Sequence, residues 1–193
     1  MLPKRRKETA GDNYGPGRTN GFALSDDPVL AAKPVILSFA QRGENPPPEE
    51  TWLHQSCKEC GQELRFETIP ATNLETLKLF KPGFIKFKLV TLGRPVLWLD
   101  PGTRISGPVH LPEGDWDIAT ASISSGAKPP QTEKSPVTVF RPTIAALRLI
   151  ELWEQLGSEA APARKSGDYL FNYAKKALHG RYVETGFTAP LTR

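Results

Sequence analysis

The sequence predicts an α+β fold: a small antiparallel β-rich body carrying a zinc-knuckle candidate, followed by a C-terminal helical pair. Three observations lead there. Nineteen Pro and 16 Gly in 193 residues are more breakers than a long helical bundle absorbs. Between residues 84 and 140, short apolar runs are separated by turn residues, which is the punctuation of strands. From Pro142 onward the apolar positions change to helical spacing. The chain therefore divides into a basic arm at 1–28, a β-rich body at 29–141 and a helical region at 142–193.

In chain order, residues 1–28 are polar and Gly-rich, a composition that does not bury enough apolar surface to fold, and they read as a disordered arm. Val35 to Phe39 is the first strand, opened by Pro34 and closed near Gly43. Asn45 to Glu50, with three consecutive prolines, reads as an extended linker. It leads to a short knuckle over residues 54–61 that holds Cys57 and Cys60. Phe84 to Val90 alternates, with Ile85, Phe87 and Leu89 on one face and Lys86 and Lys88 on the other, so a strand is expected. Leu92-Gly93-Arg94 would turn the chain, and Pro95 to Leu99 would return antiparallel. Further strands are expected at Arg104–Ser106, Trp116–Ile123 and Pro136–Phe140. Ile144, Leu147, Ile150, Trp153 and Leu156 make the stripe of one helix, started by Pro142 and stopped by Gly157. Ser166 caps a second helix that runs through His179 and ends at Gly180.

Charge is segregated along the chain. Residues 78–94 hold five basic side chains and no acidic one, and residues 161–193 hold six basic against two acidic. With Lys4, Arg5, Arg6 and Lys7 in the arm, these make three basic islands in a chain of net charge +4, a distribution that steers polyanions. Two cysteines exclude a disulfide-dense scaffold, and no apolar run approaches the roughly 20 residues of a membrane helix. No apolar leader opens the sequence, so a cytoplasmic protein without a membrane partner is expected.

Cys57 and Cys60 can grip one Zn²⁺ from a single knuckle, and His54 lies three residues ahead of them as a third ligand. No second C-x-x-C completes a tetrahedral set. A redox role for the pair would require a βαβ context, and none is read around it. The phosphate-binding and nucleophile motifs are missing, so no catalytic constellation is evident and the chain is not expected to be an enzyme. Two weaker chemical features are Asp115 and Asp117 as a strand-face carboxylate pair, and His110 beside the acidic stretch Glu113–Asp117 as an acid/base pair. Lysines on an exposed strand near Phe84, Phe87, Trp98 and Trp116 are the ingredients of a stacking platform for nucleic acid. Lys4, Arg5, Arg6, Lys7, Lys86, Lys88, Arg94, Lys128, Lys175, Lys176 and Arg181 are the candidate contacts to RNA or DNA.

The order of Cys57-Lys58-Glu59-Cys60, short strands, Ser124-Ser125-Gly126, Pro136-Val137-Thr138-Val139 and a helix from Pro142 resembles a known family. It is the small zinc-containing, large-subunit-like protein of type IV CRISPR effector complexes. The resemblance implies a non-catalytic subunit of a ribonucleoprotein, with other protein subunits as partners. Such a subunit contacts the 5′ end of the guide RNA and the DNA flanking the target. The alternatives are a protein–protein adaptor without nucleic acid, and a small metal-dependent enzyme built on the knuckle and His110.

Overall fold

Val35-Ile36-Leu37 is apolar at every position because the strand it opens is covered on both faces. In the computed structural model, which describes residues 33–43, 51–71, 73–121, 137–159 and 166–192, this strand is β1 (Val35–Gln41). It is followed by α1 (Trp52–Glu59), β2 (Leu64–Ile69), α2 (Leu74–Leu92), β3 (Val96–Trp98), β4 (Arg104–Ile105), β5 (Ile118–Ala121) and β6 (Val137–Phe140). Then come α3 (Ile144–Glu159), α4 (Gly167–Ala177), β7 (Glu184–Gly186) and β8 (Leu191–Thr192). Six strands form one mixed sheet in the order β2-β1-β3-β6-β5-β7, and β4 and β8 form a separate two-stranded ribbon. β1 is parallel to both β2 and β3, and β5 is parallel to β7, whereas β6 is antiparallel to β3 and β5.

Two side-chain layers hold the sheet. Val35, Leu37, Val96, Ile118 and Phe140 pack on one face against Ile85 and Leu89 of α2, Leu149, Ile150 and Trp153 of α3, and Leu170, Phe171 and Ala174 of α4. Ile36, Leu97, Ala119 and Val139 pack on the other face against Leu53 and Cys57 of α1, Ile105, Val109 and Trp116. The fold is therefore an α/β sandwich with helices on both faces, and the expected antiparallel body followed by a helical pair is corrected.

The residues responsible are 74–92. Phe84–Val90 is helix and not strand, so Lys86 and Lys88 do not line a strand face. Lys81-Pro82-Gly83 reads as a breaker, yet the helix continues through Pro82. A proline in a helix forfeits one backbone hydrogen bond, and tertiary packing offsets that cost here. Ile85 and Leu89, four residues apart, are wholly buried together, and Phe87 between them is exposed, which is helical and not alternating burial. A Cβ on Gly83 would meet Glu154 Oε1 at 3.0 Å, so the Glu154 side chain of α3 lies close against α2 at this residue. The helix is defined at its ends by Asn73, whose Oδ1 accepts from Thr76 N–H at 2.8 Å, and by Gly93 in the left-handed region at φ 60°. With the strand at 84–90 gone, the segment from Pro95 pairs parallel to β1 and antiparallel to β6.

The helices from 142 onward form where the periodicity places them, and Ser166 caps α4 by accepting from Tyr169 N–H at 3.2 Å. Gly157 does not stop α3; it is buried within the helix, which runs on to Glu159. Among the described residues no helix is long and apolar enough to cross a membrane. The arm at 1–28, the linker at 45–50 and the Ser124–Gln131 loop lie outside the described residues.

Candidate functional site at the carboxyl ends of strands β1 and β3

The connectivity singles out one place on the molecule. From β1 the chain crosses by α1 to β2 on one side; from β2 it crosses by α2 to β3 on the opposite side of β1. The chain thus leaves β1 toward β2 and leaves β3 toward β5, in opposite directions along the sheet, and in open α/β sheets ligands bind outside the carboxyl ends of the strands at such a switch point. Asp100 stands there, two residues past the end of β3, and is exposed. Its Oδ1 accepts from the indole N–H of Trp98 at 3.2 Å, and its carbonyl closes a turn by accepting Thr103 N–H at 2.9 Å.

Trp98 is held from the α2 side of the sheet. Its ring lies 4.7 Å from Phe39 of β1 and 6.3 Å from Phe84 of α2, and Phe39 meets Phe80 edge-to-face at 5.0 Å. The Lys81 ammonium sits over the Trp98 ring at 5.0 Å and over the Trp153 ring at 5.8 Å. The enclosure of that ammonium lowers its proton affinity below the ordinary lysine value, and the charges of Asp100 and Asp168 act in the opposite direction. Lys81 thus brings a cation from α2 to face a carboxylate at the end of β3 and another in the first turn of α4. On the other face of the sheet, the N–H of Leu53 donates to Pro101 O at 3.3 Å, which fixes the first turn of α1 beside Asp100. Ser38 of β1 is wholly buried and its hydroxyl has no partner among the described residues.

The C-x-x-C pair occupies the opposite end of α1. Cys57 lies in the buried face of the helix and Cys60 is its C-terminal cap residue, so the expected knuckle is the last turn of a helix. Burial, and then the neighbouring Cys60, push the Cys57 thiol up to about 12. The Cys60 thiol is 3.9 Å from Ile105 O. His54 keeps Nδ1 buried without a partner among the described residues. No group of three or more His, Cys, Asp or Glu side chains is placed to hold a metal among the described residues, so His54, Cys57 and Cys60 are not brought together as a ligand set. A βαβ unit does surround the pair, contrary to expectation, but the thiols sit at the end of its helix and not at the start.

The basic candidates are dispersed. Lys86 pairs with Glu154 of α3, Lys88 with Glu67 of β2 and Lys175 with Glu184 of β7. Arg94 bonds Glu63 Oε2 at 2.7 Å and the Lys33 carbonyl at 3.3 Å. Burial alone would raise the Glu63 carboxyl; the hydrogen bond and charge of Arg94, with Arg65 behind it, hold it below its usual range instead. Lys176 and Arg181 are exposed; Lys4, Arg5, Arg6, Lys7 and Lys128 lie outside the described residues. Asp115 is exposed, but Asp117 is buried and precedes β5, so the two carboxylates do not form a pair on a strand face. His110 is exposed.

No protein-family model matches the chain, and no curated protein sequence does. Among solved structures, it is similar to a glycosyltransferase involved in the glycosylation of the major capsid of PBCV-1. The TM-score is 0.56 and the identity 15%, over 80% of this chain and 83% of that one. A second likeness, to the apo form of the glycosyltransferase GlyE of Streptococcus pneumoniae TIGR4, has a TM-score of 0.44 and 16% identity. It covers 79% of this chain and 44% of that one, and is too weak to bear on the fold. The α/β fold is shared with the first of these glycosyltransferases, and is not the fold that the CRISPR resemblance implies. It corrects the resemblance, and with it the non-enzymatic reading and the guide RNA, DNA and subunit partners that followed from it.

Proposed function

We propose that this chain is a glycosyltransferase, moving a sugar from a nucleotide-activated donor to an acceptor hydroxyl at the carboxyl ends of β1 and β3. The observation that carries the reading is Asp100, an exposed carboxylate at the sheet's switch point, in a fold that a glycosyltransferase shares. In such a transfer the acceptor oxygen forms a bond to the anomeric carbon. The bond from that carbon to the donor's phosphate oxygen breaks, and the nucleotide leaves with the electron pair. A carboxylate beside the incoming hydroxyl takes its proton, and in this reading Asp100 takes that role. Lys81 supplies positive charge at the same end of the sheet, where the departing phosphate gains negative charge.

The test is nucleotide release by the full chain, offered UDP-, GDP- and CMP-activated sugars with divalent cations in the buffer, for wild type and Asp100→Asn. Wild type is expected to turn over at least one donor. The variant, isosteric and exposed, should keep its circular dichroism spectrum and lose about 100-fold or more in kcat. Failure of wild type to bind or turn over any of the three nucleotide classes overturns the reading, as does full activity in Asp100→Asn.

A further inference from the structure

Trp52 is 60% exposed, although it begins a helix whose other apolar side chains are buried. Its backbone is not loose: Thr51 caps the helix by accepting His54 N–H at 3.2 Å, and Leu53, next in sequence, is wholly buried and bonded to Pro101 O. The direction of the indole follows from the rest of the helix. The Ser56 hydroxyl accepts Ile105 N–H at 3.1 Å, and Glu59 meets Arg104 at 3.5 Å. The segment from Pro101 to Ile105 therefore runs along one flank of α1, from its first turn to its last. Trp52 lies four residues before Ser56 and seven before Glu59, on that same flank. Helical side chains lean toward the N-terminus, which directs the indole past the first turn toward the end of the segment where Leu53 N–H bonds Pro101 O, next in sequence to Asp100.

We infer that Trp52 is the platform on which a pyranose ring of the acceptor stacks, with Asp100 receiving a hydrogen bond from that sugar's hydroxyl. This inference rests on the glycosyltransferase reading and specifies its acceptor as a carbohydrate. A pyranose presents an apolar C–H face and a rim of hydroxyls, which matches a flat ring next to a carboxylate. The charge on this flank selects against the donor. Arg104, the cation on this flank, is engaged by Glu59, while the cation that suits phosphate is Lys81, which approaches Asp100 from the opposite face of the sheet.

The experiment uses the full chain as wild type, Trp52→Ala and Trp52→Phe, in two binding measurements: a glycan array of mono- to tetrasaccharides, and calorimetric titration with UDP and GDP. Wild type should bind a subset of the array. Trp52→Ala should weaken that binding about tenfold, Trp52→Phe should retain most of it, and nucleotide affinity should be equal in all three. Equal glycan binding by wild type and Trp52→Ala overturns the inference. A loss of nucleotide affinity in Trp52→Ala also overturns it, because the indole would then stack on the donor's base. Nucleotide binding with no array binding by wild type sinks the platform and leaves the glycosyltransferase reading standing. Tryptophan-dependent glycan binding with no nucleotide binding sinks the glycosyltransferase reading and supports the platform.

Discussion

Replacing Asp117 tests the architecture where three elements meet. Its side chain is 2% exposed; Oδ1 accepts the Thr143 hydroxyl at 2.6 Å and Oδ2 accepts Val183 N–H at 2.7 Å. The Thr143 hydroxyl in turn accepts Ala146 N–H at 3.1 Å, so the carboxylate fixes the cap of α3 as well as the segment that enters β7. Its own backbone joins Val183 and Arg141. Hydrogen bonds to a charged group contribute about 1.5–3 kcal/mol each, the larger values applying where the abandoned partner stays out of water. Thr143 is buried and Val183 is half-buried, so Asp117→Ala should cost about 2–3 kcal/mol for the first bond and about 1.5 for the second. The sum, about 3.5–4.5 kcal/mol, is a large fraction of ordinary domain stability. Asp117→Asn keeps one acceptor oxygen and should cost about 2 kcal/mol. Urea denaturation followed by far-ultraviolet circular dichroism reads both values. A cost below 1 kcal/mol for Asp117→Ala would refute the reasoning, since it would mean that Val183 and Thr143 find other acceptors.

Two further outcomes concern pH. The Cys57 thiol is raised from 9.0 to about 12 in the fold, first by burial and then by Cys60. Its contribution is fully present below pH 9, and between 9 and 12 the unfolded chain ionises while the fold keeps the proton. Stability should therefore fall by about 1.4 kcal/mol per pH unit in that window, and Cys57→Ala should lack this decline in urea melts from pH 8 to 11; parallel curves would exclude the assignment. Lys81 has the opposite sign, because enclosure lowers its proton affinity. Stability of wild type relative to Lys81→Met should rise as pH climbs toward the ordinary lysine value of 10.5, and a flat difference would mean that the ammonium is solvated.

The elements that could be read from sequence are those whose local signals agree with their tertiary setting. Val35–Phe39 is both apolar and closed by a turn, and α3 and α4 carry an apolar stripe, with Ser166 capping α4. Residues 80–90 mislead because two periods coexist there. Lysines at 86 and 88 imitate alternation, while Phe80–Phe84 and Ile85–Leu89 repeat at four, and only the latter pairs point to the core. Pro82-Gly83 tips a local reading toward a strand start, whereas the contact with Glu154 that accommodates the glycine comes from 71 residues away. Once that helix is lost, the βαβ order is lost with it, and so is the switch point. Asp100 then reads as a turn residue in Asp100-Pro101-Gly102, which it also is. Trp52 is invisible for a similar reason: its importance lies in the Pro101–Ile105 segment across from it, not in its neighbours in sequence.

The site depends on the core in a way that ties function to packing. Asp100 is exposed, and the Trp98 indole N–H is its anchoring hydrogen-bond donor among the described residues, with the Lys81 charge facing it from α2. Trp98 keeps its orientation because Phe39 and Phe84 wall its ring and the Lys81 ammonium covers its face. Phe39 is in turn held edge-to-face by Phe80 and Phe84, which stack on each other at 5.8 Å, one helical turn apart on α2. A carboxylate fixed this way spends no binding free energy on ordering when a substrate arrives. The helix that sequence patterning turns into a strand is thus the element that aims the candidate catalytic carboxylate. A core substitution such as Phe80→Ala would act on the site through Trp98, without touching any residue that meets the sugar.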